Sequence, residues 1–268
     1  MMPFMIMVIV QRLGILLFGM GTLPSVIGDT LAFLAASAAG IFFFRMSCGA
    51  QALRPGSVPD AGTSEEDDRP VPPFPQRDTV FGRLMYMLIG TGVLIVTMYV
   101  VTVAADTEVV SASPAAFPAA EFVSLVLIHP ILEEYVFRWL YYRELRPMQP
   151  IFAGLAQAVM FAIVHGSVGG MIYALFAGGV LVFVTEFSGS LTAAVGAHML
   201  VNLRSLVYMT WLTDAAFANA AQIRMILDFG VVSIGFGAVL ILMVRRGLRE
   251  VWAARKEDET EENTDDGE

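Results

Sequence analysis

The chain has 268 residues, 56% of them hydrophobic and 15% charged, whereas a soluble domain carries about a quarter charged residues; an ordinary soluble globular protein is excluded. The formal net charge is −9, with one Lys against fifteen Arg, and no basic patch lies outside a short stretch near Arg245, which excludes nucleic-acid binding. Cys48 is the sole cysteine, so neither an intrachain disulfide nor a cysteine metal cluster can form.

Apolar stretches near 3–23, 26–44, 83–105, 119–141, 150–165, 170–187, 191–212 and 223–244 come close to the roughly 20 residues a bilayer span needs. They predict an all-α membrane protein with about eight transmembrane helices in a bundle. The opening MMPFMIMVIV lacks the positive flank and cleavage site of a signal peptide and is read as part of the first retained span. Arg12 falls in the middle of that span; if residues 1–12 lie at the interface instead, the count is seven. Residues 1–45 then form a two-helix N-terminal membrane unit. Residues 46–78, with six prolines between Pro55 and Pro75 and the acidic run Glu65-Glu66-Asp67-Asp68, have the composition of an extended linker. Residues 79–246 make the core bundle, and 247–268, acidic from Glu257 onward, read as a solvated, disordered tail.

Orientation follows from the basic residues. Arg54, Arg69 and Arg77 lie in the linker, Arg143 and Arg146 in the 142–149 loop, and Arg245, Arg246, Arg249, Arg255 and Lys256 after the last span. The intervening loops at 106–118, 166–169 and 213–222 have none. With eight spans, this alternation puts both termini and the linker in the cytoplasm.

A charged side chain at the centre of a membrane helix costs about 2.5–3.5 kcal/mol on insertion scales. The fourth stretch nevertheless holds His129, Glu133, Glu134 and Arg138 in HPILEEYVFRW. Glu134 and Arg138 are i, i+4 and can pair on one face. Glu133 points about 100° away without a cation nearby in sequence, which suits a general base; a purely structural Glu–Arg network is the alternative. Pro130 removes a backbone hydrogen bond, clashes with the Val126 carbonyl and predicts a kink that admits water. His129 is one turn from Glu133 and in reach to tune it.

The fifth stretch ends in Phe161-Ala-Ile-Val-His165, and the seventh carries His198-Met-Leu-Val-Asn202. A lone His in a span also serves packing, and either member of the second pair fits interhelical hydrogen bonding. Stacked at i, i+4, however, a ring N–H and an amide aim two donors the same way, as an oxyanion requires. With the inferred topology, Glu133 and His198 lie toward the cytoplasmic half whereas His165 falls near the far end of its span.

These segments resemble the successive motifs EExxxR, FxxxH and HxxxN of the CAAX-processing and bacteriocin-processing (CPBP, or Abi) intramembrane peptidase family. Gly189-Ser190-Leu191 ahead of the last motif also matches, and the resemblance covers about residues 118–212. It implies an eight-helix core that hydrolyses a peptide bond of a membrane-associated protein or peptide. It also implies that Glu133 and His165 hold and activate water, that His198 and Asn202 form the oxyanion hole, and that Glu134 and Arg138 support them. Members are often called metallopeptidases; Glu133, His165 and His198 would be the zinc ligands. No HExxH chelate is present and Asn202 is a poor zinc ligand, so metal-independent glutamate chemistry is favoured. The competing functions are a small ion- or proton-coupled transporter using the two carboxylates and a catalytically silent membrane scaffold of the same fold. The paired-donor motif and the lack of an inverted repeat weigh against the transporter. The name of the family implies prenylated tails, bacteriocin leaders or membrane-anchored regulators as substrates, and no substrate is legible in the residues.

Overall fold

The computed structural model describes residues 2–19, 25–48, 79–105, 118–147, 149–165, 167–214 and 216–265. All regular structure among them is helical: α1 (Met2–Gly19), α2 (Ser25–Cys48), α3 (Val80–Ala105), α4 (118–145), α5 (Pro150–Val164), α6 (Val168–Ser188), α7 (Leu191–Thr210) and α8 (Ala220–Asp265). Each expected stretch therefore coincides with a helix. By length and composition, Val80–Ala104, Val168–Ser188 and Ala220–Ala253 are long and apolar enough to cross a membrane. Three of the other helices differ in composition or length. α4 and α7 carry the charged and amide side chains of the motifs, and α5 has only 15 residues. The residues of the expected linker from 49 to 78 lie outside the described set, as do most of the 106–118 loop and the side chain of Arg12.

The pattern of burial is that of a protein in lipid. Ile151, Phe152, Leu155 and Val159 on α5, Phe176, Phe183 and Phe187 on α6, and Phe229, Ile234 and Phe236 on α8 point outward. Glu134, Arg138, Gln157 and Thr185 are fully enclosed. Polar groups are cheap only inside such a bundle, where they meet each other.

Three local features place the site. First, α5 and α6 approach closely because Gly178 has no Cβ; one added there would lie 2.9 Å from Ala158 Cα. Its neighbour Gly179 faces open space. Second, Gly189 takes a left-handed conformation at φ 63° and ends α6, so the chain reverses within two residues into α7. Third, α4 is not uniformly α-helical: residues 122–128 and 135–142 adopt the wider i→i+5 register of a π-helix. The expected irregularity at Pro130 thus takes the form of a π segment just before it.

At one end of the bundle Arg146 pairs with Glu186 at 2.6 Å, Tyr142 donates to Glu186 at 3.0 Å, and Arg245 covers the Phe81 ring at 4.3 Å. Nearer the other end, Arg204 makes a two-pronged pair with Asp228, which Tyr99 and Tyr208 also reach. That second cluster ties α3, α7 and α8 together. It gives Arg204 and Asp228 a place that sequence spacing does not reveal. α8 continues to Asp265, into the stretch whose composition reads as a disordered tail. The physical reason lies in its helix-forming Ala, Arg and Glu residues and pairs such as Arg246–Glu250 at 2.9 Å.

Candidate active site

Glu133 is the centre of a polar group gathered from three helices. Its Oε2 lies 3.6 Å from Nε2 of His198 on α7, and its Oε1 lies 3.7 Å from Nδ1 of His129 one turn earlier on α4. It therefore has two histidine neighbours, although its nearest Arg is turned to another carboxylate. Glu134 takes that Arg: Arg138 Nε sits 3.1 Å from Glu134 Oε2, and both side chains are completely buried. The guanidinium lies 4.4 Å above the centre of the Phe161 ring, a cation–π contact that offsets part of its desolvation.

Glu134 also has a task that helical spacing does not show. Its Oε1 accepts a hydrogen bond of 2.9 Å from His198 Nδ1. This fixes the imidazole so that Nε2 turns toward Glu133. Arg138, Glu134, His198 and Glu133 thus form one chain of alternating partners. The expected supporting pair acts as the anchor of the histidine.

Asn202 is placed by the irregular backbone of α4. In the π register the His129 N–H bonds the Ser124 carbonyl. The next donor would be residue 130, aimed at the Leu125 carbonyl, but Pro130 has no N–H. Asn202 Nδ2 donates to that carbonyl instead, at 2.8 Å. The carbonyl that proline leaves without its helical partner is therefore that of Leu125, where straight α-helical counting gives Val126. Of the two donors expected to aim together, His198 spends Nδ1 on Glu134 and Asn202 spends one N–H on Leu125. His198 Nε2, on the cavity wall beside Glu133, and the second amide hydrogen of Asn202 remain for a ligand.

His165 ends α5, with its Nδ1–H donating to the Phe161 carbonyl at 2.8 Å and its ring edge-on to Phe161 at 4.6 Å. Nε2 is left with its lone pair. α5 has only 15 residues, so His165 at its far end still lies beside the cavity that Glu133 lines from α4.

Glu133, His165, His198 and Asn202 all line one cavity of about 420 Å³. Phe33 and Gln11 from the N-terminal helices, and Tyr173 from α6, complete its wall. The sequence signals only part of this set. His129 stands at i−4 from Glu133, the spacing that marks Glu134 and Arg138 as a pair, so its contact was legible. The part of Phe33, which stacks on His129 at 4.4 Å and 17°, was not. Among the described residues no group of three or more His, Cys, Asp or Glu side chains is arranged to hold a metal ion. The Glu133, His165 and His198 set does not fit zinc as it stands.

The arrangement joins a carboxylate, a histidine with a free lone pair, a second ring nitrogen at His198 Nε2 and an amide N–H of Asn202 on the wall of one cavity within an apolar bundle. Such a set can polarise water and receive an oxyanion. No curated protein and no solved structure matches the chain. Residues 115–204 do match a family model described as type II CAAX prenyl endopeptidase Rce1-like, so the segment that carries Glu133, His165, His198 and Asn202 is similar to that family.

Proposed function

We propose that this integral membrane protein is an endopeptidase that cleaves a peptide bond of a membrane-associated protein or peptide in the cavity around Glu133. The observation that carries the proposal is the approach of Glu133 Oε2 to His198 Nε2 at 3.6 Å on a wall shared with His165 and Asn202. Water held between Glu133 and His165 Nε2 gives its proton to Glu133 as its oxygen attacks the carbonyl carbon. The oxyanion that forms is met by N–H from His198 Nε2 and from Asn202. For His198 this requires protons on both ring nitrogens, and the ring then lies between the carboxylates of Glu134 and Glu133. When the C–N bond breaks, Glu133 returns the proton to the leaving amine. Every step uses side chains of this chain, and none is routed through a metal.

The eight helices are proposed to be eight spans with both termini cytoplasmic, as the distribution of Arg supports. The clustering of Arg146, Glu186, Arg245 and Phe81 at one end of the bundle agrees with that orientation. The substrate class proposed from the family description is a CAAX-type peptide chain presented at the membrane.

The test is purified protein in detergent micelles with a proteome-derived library of apolar peptides, new N-termini being identified by mass spectrometry. Internally quenched prenylated CAAX peptides run beside the library. Wild-type protein is expected to generate new N-termini, and Glu133→Gln to generate none. Equal cleavage by both proteins would overturn the assignment of Glu133.

A further inference from the structure

Glu133 has two oxygens and two histidine neighbours, and the scheme above uses only one of them. His129 approaches Oε1 through Nδ1 at 3.7 Å, opposite the oxygen that faces His198. The separation is slightly longer than a hydrogen bond, as is common for reacting groups before a substrate tightens them. The His129 ring is not free to turn away. Phe33 of α2 stacks on it nearly parallel, at 4.4 Å between centres. The other ring nitrogen, Nε2, is buried and has no hydrogen-bond partner among the described residues. A buried polar atom left unpaired costs stability, so packing alone gives no reason for a histidine here; an apolar side chain would stack on Phe33 without that cost. The function of Nδ1 supplies the reason.

We propose that His129 is a positioning residue for Glu133: its Nδ1–H holds Oε1 so that Oε2 faces the reacting water, and Phe33 of the N-terminal helix pair locks the ring in that pose. The inference rests on the reading of Glu133 as the base. It extends the site to α2, which lies outside the family-matched segment 115–204. It also gives the N-terminal pair a role in the chemistry. A carboxylate with one oxygen pinned presents a single lone-pair direction, and a reacting atom displaced by about 1 Å can cost about a hundredfold in rate.

The experiment compares His129→Leu, His129→Asn, Phe33→Ala and Glu133→Gln in the full chain. The probe is the library peptide that wild-type protein cleaves fastest. Asparagine places its amide N–H where histidine has Nδ1–H, whereas leucine places none. His129→Leu is expected to lower kcat by about 10–100-fold, the range typical of groups that orient reacting ligands, with KM within twofold. His129→Asn should recover most of that loss, and Phe33→Ala should fall between wild type and His129→Leu. Thermal midpoints in detergent accompany each rate, so a loss of fold is seen directly. If His129→Leu does not fold, the order wild type, His129→Asn, Phe33→Ala still decides. Leucine and asparagine variants with equal rates, whether both intact or both impaired, would sink the positioning role while leaving the base in place. If Glu133→Gln cleaves like wild type, the base assignment itself falls and takes this inference with it.

Discussion

At the scale of single residues, the two adjacent glutamates divide their work through their partners. Glu134 neutralises Arg138 in full burial and holds His198 Nδ1, whereas Glu133 faces the cavity between two histidines. Removing one member of a buried ion pair leaves the other uncompensated, at a cost of about 3–5 kcal/mol. Glu134→Ala should therefore lower the thermal midpoint in detergent strongly, and Glu133→Ala much less while abolishing cleavage. Similar thermal shifts for the two variants would contradict this division. His198 offers a second test. Glutamine places an amide near the position of Nε2 but cannot reach Glu134 as Nδ1 does. His198→Gln is expected to keep more activity than His198→Ala, because an oxyanion donor survives. A zinc ligand would be damaged about equally by either change, and activity that survives chelator treatment would agree with the metal-free scheme.

At the scale of the helix, α4 shows how an irregular backbone serves a site. The π register before Pro130 brings the proline opposite the Leu125 carbonyl, and Asn202 fills the missing donor at 2.8 Å. Pro130→Ala returns an N–H to position 130, which then competes with the amide for the same carbonyl. The expected result is a lower cleavage rate as Asn202 is released, with a thermal midpoint equal to or above wild type, since proline inside a helix costs about 3 kcal/mol. A variant that is both slower and less stable would show that the proline stabilises the bend itself. The proline was visible as a break in the helix from composition alone. Its consequence was not, because the carbonyl left open depends on whether the preceding turn closes at i+4 or i+5, and neither register leaves a mark in residue types.

At the scale of the whole molecule, an apolar bundle gathers its few buried charged groups into clusters in which they solvate one another. The Arg204–Asp228 pair, with Tyr99 and Tyr208 on the same carboxylate, ties α3 and α8 to α7, the helix that also carries His198 and Asn202. Asp228→Ala leaves Arg204 enclosed against Tyr208, whose ring centre is 4.4 Å away, without an anion. A loss of about 3–5 kcal/mol is expected, read as a fall in thermal midpoint, with the activity of the remaining folded fraction changed far less than by any substitution at Glu133. An unchanged midpoint would show that the cluster does not join the helices.

Much of the fold was legible because membrane helices are set by length and composition. A run of about 20 apolar residues must satisfy its backbone internally, and the helix is the economical way to do so. The Glu134–Arg138 pair was legible for a related reason: i, i+4 spacing brings two side chains together on any α-helix, whatever surrounds it. The seam between helices was not. In a soluble helix the polar face marks the side turned to water, but here both lipid and core are apolar, and the sequence carries little record of rotation about the helix axis. The meeting of His198 with Glu134, Asn202 with Leu125, Phe33 with His129 and Arg204 with Asp228 depends on that rotation and on how far short α5 reaches. The sequence alone determined which residues were too costly to face lipid; the packing of the helices decided which of them would meet, because only there do donors and acceptors far apart in the chain find one another in place of water.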